Sequence, residues 1–322
     1  MHTDKNVKTC NDFLLSLNLI DHTDKNKVIK ELYTLSNNVE NNYKIFRIKK
    51  HNGKFRIIYE PNSNLKYIQR QILVNILSKR KISKYAKAYH KGIGLKDNAL
   101  PHLNKKVILK LDIENFFENI RFENIYALCF SEKYFPKAVG VLLTKLCTYI
   151  EYLPQGAPTS AYISNLVMKN FDEELGAWCE MNDIAYTRYS DDMTFSGDFI
   201  PRVVIRKVRK MLYKLGLKLN NHKIRVISSS QRQCVTGIVV NKKMQVASSY
   251  RKKIRQEIYY IKKYGLFSHF KKLNYKGTLD EYISNLYGRI LFVLQIKNDD
   301  LEFQNYKDYL KSLKIKGMVN YD

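Results

Sequence analysis

Three aspartates carry the chemistry that this sequence offers. Asp112 sits in Leu111-Asp112-Ile113-Glu114-Asn115-Phe116-Phe117, and Asp191 and Asp192 sit in Tyr189-Ser190-Asp191-Asp192. Hard divalent cations take a few carboxylates and complete their shell with water and phosphate oxygens. Two such ions about 3.5–4 Å apart clamp the attacking and leaving oxygens of an in-line phosphoryl transfer. One aspartate on a strand and a pair on a neighbouring hairpin would suit that task. Neither string decides the matter alone, because Asp-Asp is common in solvated turns and single aspartates are common on strands.

The surrounding pattern supplies the elements that must position them. Val107, Leu109, Leu111 and Ile113 alternate with Ile108, Lys110 and Asp112, which predicts a strand with Asp112 on the face opposite the Val/Leu row. Tyr186–Ser196 predicts two short strands around a tight turn at Ser190-Asp191-Asp192. Earlier, Tyr43–Glu60 alternates like a strand pair turning at His51-Asn52-Gly53, and Leu65, Ile68, Ile72, Leu73, Ile76 and Leu77 share one helical face. Helices are expected over about 5–40 (two short ones), 160–180 and 201–215, the last opened by Pro201 and closed by Gly216. Strands are expected at about 217–227, 234–240 and 244–247, and a basic helical tail over the final 75 residues. This order gives an α+β fold.

Charge points to a polyanionic partner. Lys and Arg number 56 against 30 Asp and Glu, a formal net charge of +26. The basic residues interleave with aromatics, as in Tyr250-Arg251-Lys252-Lys253-Ile254-Arg255, a pattern suited to a groove that follows phosphates and stacks bases. The five cysteines are scattered and form no Cys-x-x-Cys pair, so they read as reduced thiols and not as a zinc site. No apolar run is long enough to span a membrane and the N-terminus lacks an apolar core, so no membrane partner and a cytoplasmic location are expected.

Four blocks in order narrow the reading further: Asp112 with Phe117; Leu153-Pro154-Gln155-Gly156-Ala157-Pro158-Thr159-Ser160; Tyr189–Asp192; and Gly216 with Lys223, ahead of Val235-Thr236-Gly237. Over roughly residues 40–265 the chain resembles the reverse transcriptases. The resemblance implies a right-hand polymerase with N-terminal helices and fingers at 1–105, a palm with an antiparallel sheet at 106–240 (including a fingers segment at about 125–160) and a helical thumb at 241–322. It implies that Asp112, Asp191 and Asp192 are the catalytic, metal-holding triad for two Mg²⁺ ions, with Mn²⁺ as an alternative. Lys54 and Arg56 would grip the triphosphate, Phe117 would exclude a ribose 2′-hydroxyl, Gln155 would contact nucleotide and template, and Lys223 would donate a proton to pyrophosphate.

Asn98-Ala99-Leu100-Pro101-His102 and Val235-Thr236-Gly237 resemble two elements of the retron branch. That narrower resemblance implies an RNA-directed DNA polymerase acting on a cognate structured noncoding RNA that is both template and primer. The product would be a short single-stranded DNA made from dNTPs, self-primed from a guanosine 2′-hydroxyl and used in antiphage defence with an effector protein. Asn98, His102, Val235, Thr236 and Gly237 would then recognise the RNA, helped by Arg251, Lys252 and Arg255. Two departures stand out: Ser190 where retron enzymes usually carry Ala, and Asn115 where many relatives carry an acid. No ribonuclease H carboxylate set, zinc-finger endonuclease or integrase pattern is visible, so a compact enzyme reliant on other proteins is expected. The rivals are another bacterial reverse transcriptase (intron-like or diversity-generating), an RNA-binding scaffold in a defence complex and, disfavoured by Phe117, an RNA-directed RNA polymerase.

Overall fold

The computed structural model describes residues 10–20, 24–49, 53 and 55–315. Strands β1 (Tyr43–Lys49) and β2 (Phe55–Pro61) form an antiparallel hairpin in register from Tyr43↔Pro61 to Lys49↔Phe55. The expected turn residues His51 and Asn52 lie outside the described residues. The chain then enters the helix Ser63–Asn75, whose N-cap Asn62 accepts from the Leu65 N–H. Leu65, Ile68 and Ile72 bury its apolar face, while Ile76 and Leu77 are buried just beyond its end.

The central sheet holds β3 (Val107–Asp112), β4 (Ala185–Tyr189), β5 (Asp192–Gly197) and β6 (Arg225–Ser228), in the order β4-β5-β3-β6. Both faces of β3 are largely covered: Ile108, Leu109, Leu111 and Asp112 are all buried. This is why its apolar residues occupy adjacent positions and not only alternate ones. The three expected strands after residue 216 are shorter than anticipated. Residues 217–224 pass through a tight turn at Asn221–Lys223, and only Arg225–Ser228 pairs as β6. The segment 234–240 is a hairpin of β7 (Cys234–Val235) and β8 (Ile238–Val239), extended by β9 (Gln245–Val246). The long helix expected over 160–180 is broken at Met168 into Ser160–Val167 and Lys169–Glu180. Helix Pro201–Tyr213 starts at its proline and is followed by Gly216 at φ 71°.

Contacts divide the chain into two compact units, 1–92 with 109–226 and 93–108 with 227–322. The first is organised around a core that includes Leu65, Leu111, Ile163, Leu175, Phe195 and Val208. The second packs Ile108, Val235 and Ile238 with the inner faces of helices Ser248–Tyr264, Leu279–Ile296 and Leu301–Ile315. Thr278 and Glu281 cap the middle one reciprocally. Among the described residues, no helix is long and apolar enough to cross a membrane.

Candidate active site

The end of β3 is held on both flanks by backbone hydrogen bonds. The Ile113 N–H donates to the Asp191 carbonyl at 3.0 Å, and the Asn220 N–H donates to the Asp112 carbonyl at 2.8 Å. An antiparallel bridge between Ile113 and Leu219 continues the second contact. Asp112 therefore stands between the β4–β5 turn on one side and the segment leading to Lys223 on the other. The turn is tighter than the sequence indicated. Tyr189 pairs with Asp192, so Ser190 and Asp191 alone form the loop and Asp192 opens β5. Ser190 takes φ 62°, a left-handed conformation.

The electrostatics of Asp112 and Asp192 are those of a site short of positive charge. Burial pushes the Asp112 carboxyl above its ordinary value, and the nearby Asp191 charge adds to the effect. Lys223 opposes both, with its ammonium 2.7 Å from Asp112 Oδ2. Burial, then repulsion from Asp191 and Asp112, also raises Asp192, while Lys110 works in the other direction. Burial works against the charge of Lys223, but the hydrogen bond and attraction of Asp112 outweigh it and raise that lysine. A divalent cation would relieve this crowding, and aspartate oxygens are the donors that a hard ion prefers, so the residues fit one. Among the described residues, the His, Cys, Asp and Glu side chains as they stand form no group of three ready to ligate an ion.

The remaining expected site residues divide in three. Phe117 is half-buried on the short helix Phe116–Asn119, its ring edge-on to Phe116 at 5.4 Å, and follows Asn115 at φ 44°. Arg56 is exposed on β2 opposite Ile48, while Lys54 lies outside the described residues. Gln155 is half-buried and its carbonyl accepts the Tyr59 N–H at 2.8 Å. The close approach that Gly156 permits is to β2: a Cβ there, at φ 124°, would meet Ile58 Cγ2 and the Tyr59 carbonyl, each at 2.8 Å. Gly156 is thus accounted for by packing on the hairpin.

The expected RNA-contacting residues need a larger correction. Asn98, His102 and Val235 are buried inside the second unit. Burial lowers the His102 imidazole to about 3, so it is neutral. Asn98 Nδ2 donates to Thr236 Oγ1 at 3.3 Å, which joins the two short motifs. Thr236 (φ 44°) and Gly237 (φ 87°) form the two-residue turn between β7 and β8, and of Asn98, His102, Val235, Thr236 and Gly237 these two alone reach the surface. Arg251, half-buried, and Arg255, exposed, are both paired with acids of the same unit. Arg251 pairs with Asp300 at 2.6 Å and lies over the Phe303 ring; Arg255 pairs with Glu302 at 2.6 Å. Of Arg251, Lys252 and Arg255, Lys252 is the exposed one without such a pairing. A helix with period 3.6 turns some of its cations inward, where acids on a later helix meet them, and adjacent basic letters do not reveal which.

One group of residues behind the turn went unnoticed: Arg188, Asp172, Asn165 and Tyr186. All are buried and hydrogen-bonded together. The one available signal was an arginine inside an otherwise uncharged strand, at Tyr186-Thr187-Arg188-Tyr189.

Comparison with known proteins agrees with this geometry. The family model described as "Reverse transcriptase (RNA-dependent DNA polymerase)" matches residues 48–256. The chain is similar to the retron Ec86 reverse transcriptase of Escherichia coli, 31% identical over 226 residues covering 68% of this chain and 70% of the relative. It is 30% identical to the retron Ec83 reverse transcriptase of the same organism over 283 residues, covering 83% and 90%. The retron Mx65 reverse transcriptase of Myxococcus xanthus is 31% identical over 234 residues, covering 66% of this chain and 54% of the relative.

Proposed function

The chain belongs to the reverse transcriptase family, in its retron type, and is a right-hand RNA-directed DNA polymerase; from that premise we propose how its residues divide the work. Asp112, Asp191 and Asp192 hold two Mg²⁺ ions, with Mn²⁺ able to substitute. The ions, when bound, lower the charge on the triphosphate and ready the attacking hydroxyl. Arg56, with Lys54, grips the triphosphate, and Gln155 faces the nascent pair. Phe117 closes the space beside the sugar, and Lys223 protonates pyrophosphate. The carrying observation is the Ile113 N–H bonded to the Asp191 carbonyl, because it ties the strand of one aspartate to the turn of the other two.

In this reading 1–105, 106–240 and 241–322 act as fingers, palm and thumb. The template and primer are parts of one folded noncoding RNA, and synthesis starts from a guanosine 2′-hydroxyl. The Thr236–Gly237 turn and Lys252 meet the RNA, while Asn98 supports that turn through Thr236 and His102 lies close to Asn98 in the chain as a buried, neutral residue. The DNA product stays covalently joined to RNA and serves antiphage defence with an effector protein. The five free cysteines suit a reducing cytoplasm.

The test is to express the gene with a few hundred upstream bases and isolate short nucleic acid. A discrete DNA band that shifts on 2′–5′ debranching, and is lost in Asp191→Asn/Asp192→Asn, is the expected result. Activity only on a supplied RNA template with a DNA primer would remove self-priming and keep the polymerase.

A further inference from the structure

Strand β4 carries a charge in a place where buried strands ordinarily carry none. The side chains of Arg188 and Asp172 are both fully inaccessible. Apolar replacements for a buried ion pair are often as stable or more so, so stability alone gives weak reason for this one. The donor geometry gives a better reason. Nε donates to both Asp172 oxygens at 2.9 and 3.1 Å, and Nη2 donates to Asp172 Oδ2 at 2.6 Å and to Asn165 Oδ1 at 3.1 Å. Nη1 donates to the Ser190 carbonyl at 2.9 Å. The fork therefore stitches the turn to helix Lys169–Glu180 through Asp172 and to helix Ser160–Val167 through Asn165.

The rest of the network fixes the fork itself. Tyr186 Oη donates to Asp172 Oδ1 at 2.8 Å, and Asn165 Nδ2 donates to the Ala88 carbonyl at 2.9 Å. The Arg188 N–H donates to the Tyr85 carbonyl and its own carbonyl accepts the Lys87 N–H, so the strand cannot slide. What the fork holds is strained, since Ser190 at φ 62° is a conformation that residues with a Cβ avoid.

We propose that Arg188 is a positioning residue for the Asp191–Asp192 turn, holding Ser190 in its left-handed conformation so that the two carboxylates keep one aim. The inference rests on the reading of Asp191 and Asp192 as metal-holding residues. A lysine would keep the charge but lacks the planar fork that reaches Asp172, Asn165 and Ser190 together.

The test is Arg188→Lys in the full chain, on an RNA template with a DNA primer. Expected is a fall in kcat of about tenfold or more with the dNTP KM within about twofold. Mn²⁺ affinity, read by water-proton relaxation with no turnover, should weaken about tenfold. Ile72→Val, a core change that leaves the turn alone, should lower the melting temperature without moving Mn²⁺ affinity. If Arg188→Lys does not fold, Asn165→Ala, which removes one anchor of the fork, is expected to weaken Mn²⁺ in the same way. Wild-type kcat and Mn²⁺ affinity in a folded variant would overturn the inference. A wild-type chain without templated synthesis would instead overturn the functional reading, and the Mn²⁺ titration would still judge Arg188.

Discussion

Lys223 reaches across from the segment before β6 and places its ammonium 2.7 Å from the Asp112 carboxylate. The lysine side chain is 57% exposed and the aspartate 6%. A largely exposed cation thus balances a buried anion. Replacing it, as in Lys223→Met, leaves burial and Asp191 unopposed, and the Asp112 carboxyl rises further. Protonated Asp112 then persists to higher pH. The acidic limb of the pH profile of kcat/KM is expected to move upward in pH. An unmoved limb with an unchanged rate would make Lys223 an ordinary surface lysine.

Asp192→Asn should separate activity from stability. Losing several kcal/mol of transition-state stabilisation would slow synthesis about a thousandfold. Its folded-state carboxyl lies above the unfolded value, so a penalty enters as pH rises through the ordinary carboxylate range and is complete above the raised value. At pH about 8 in EDTA the amide removes that penalty, and the variant should melt above wild type. Below the ordinary carboxylate range both proteins are neutral there and the difference should vanish. Calorimetry at two pH values checks both halves.

Phe117→Ala should relax sugar discrimination. Opening the space beside Phe116 is expected to reduce the preference for dNTP over rNTP, in kcat/KM, by about 10- to 100-fold. The ring is half-buried, so the loss of stability should stay near 2 kcal/mol. Unchanged discrimination would leave Phe117 as core packing only.

Asn98→Ala removes the side chain under the β7–β8 turn and should destabilise the second unit by about 1–3 kcal/mol. RNA affinity should fall while synthesis on a supplied primer and template survives. Gly237→Ala tests the same turn differently. Its Cβ would meet nothing within 4 Å, so backbone strain alone of about 1 kcal/mol is expected. Filter binding beside thermal melts reads both variants.

Lys252→Ala and Arg251→Met should part company. The first removes an exposed cation and should lower the slope of log affinity against log salt by about one. The second takes its closest cation from Asp300, only 6% exposed, leaving Lys297 at 3.9 Å, and should cost about 3 kcal/mol while leaving that slope unchanged. Equal salt slopes in the two would contradict the division between them.

The carboxylate positions were legible because two independent periodicities pointed to them: alternation through Leu111 and a hairpin around Asp191. The break at Met168 was not, because Ser160–Glu180 carries an apolar stripe throughout with no proline or glycine at the interruption. Strand 217–227 was overcalled for a related reason. Its apolar letters serve Leu217 and Leu219 as core residues, while the backbone bends to bring Lys223 to Asp112. The partners of Arg188 lie 16 and 23 residues away on separate helices, and no local pattern carries that information. Resemblance found Asn98 and Thr236 but gave both a contact role, although one is the support of the other.

The Gln155 carbonyl accepts a hydrogen bond from β2, and Gly156 lies so close to Ile58 and Tyr59 that no side chain fits between. The loop bearing Gln155 is in effect another rung of the Arg56 hairpin. If the hairpin grips the phosphates as proposed, a nucleotide that draws it inward carries Gln155 with it, so grip on the phosphates and inspection of the base would become one motion.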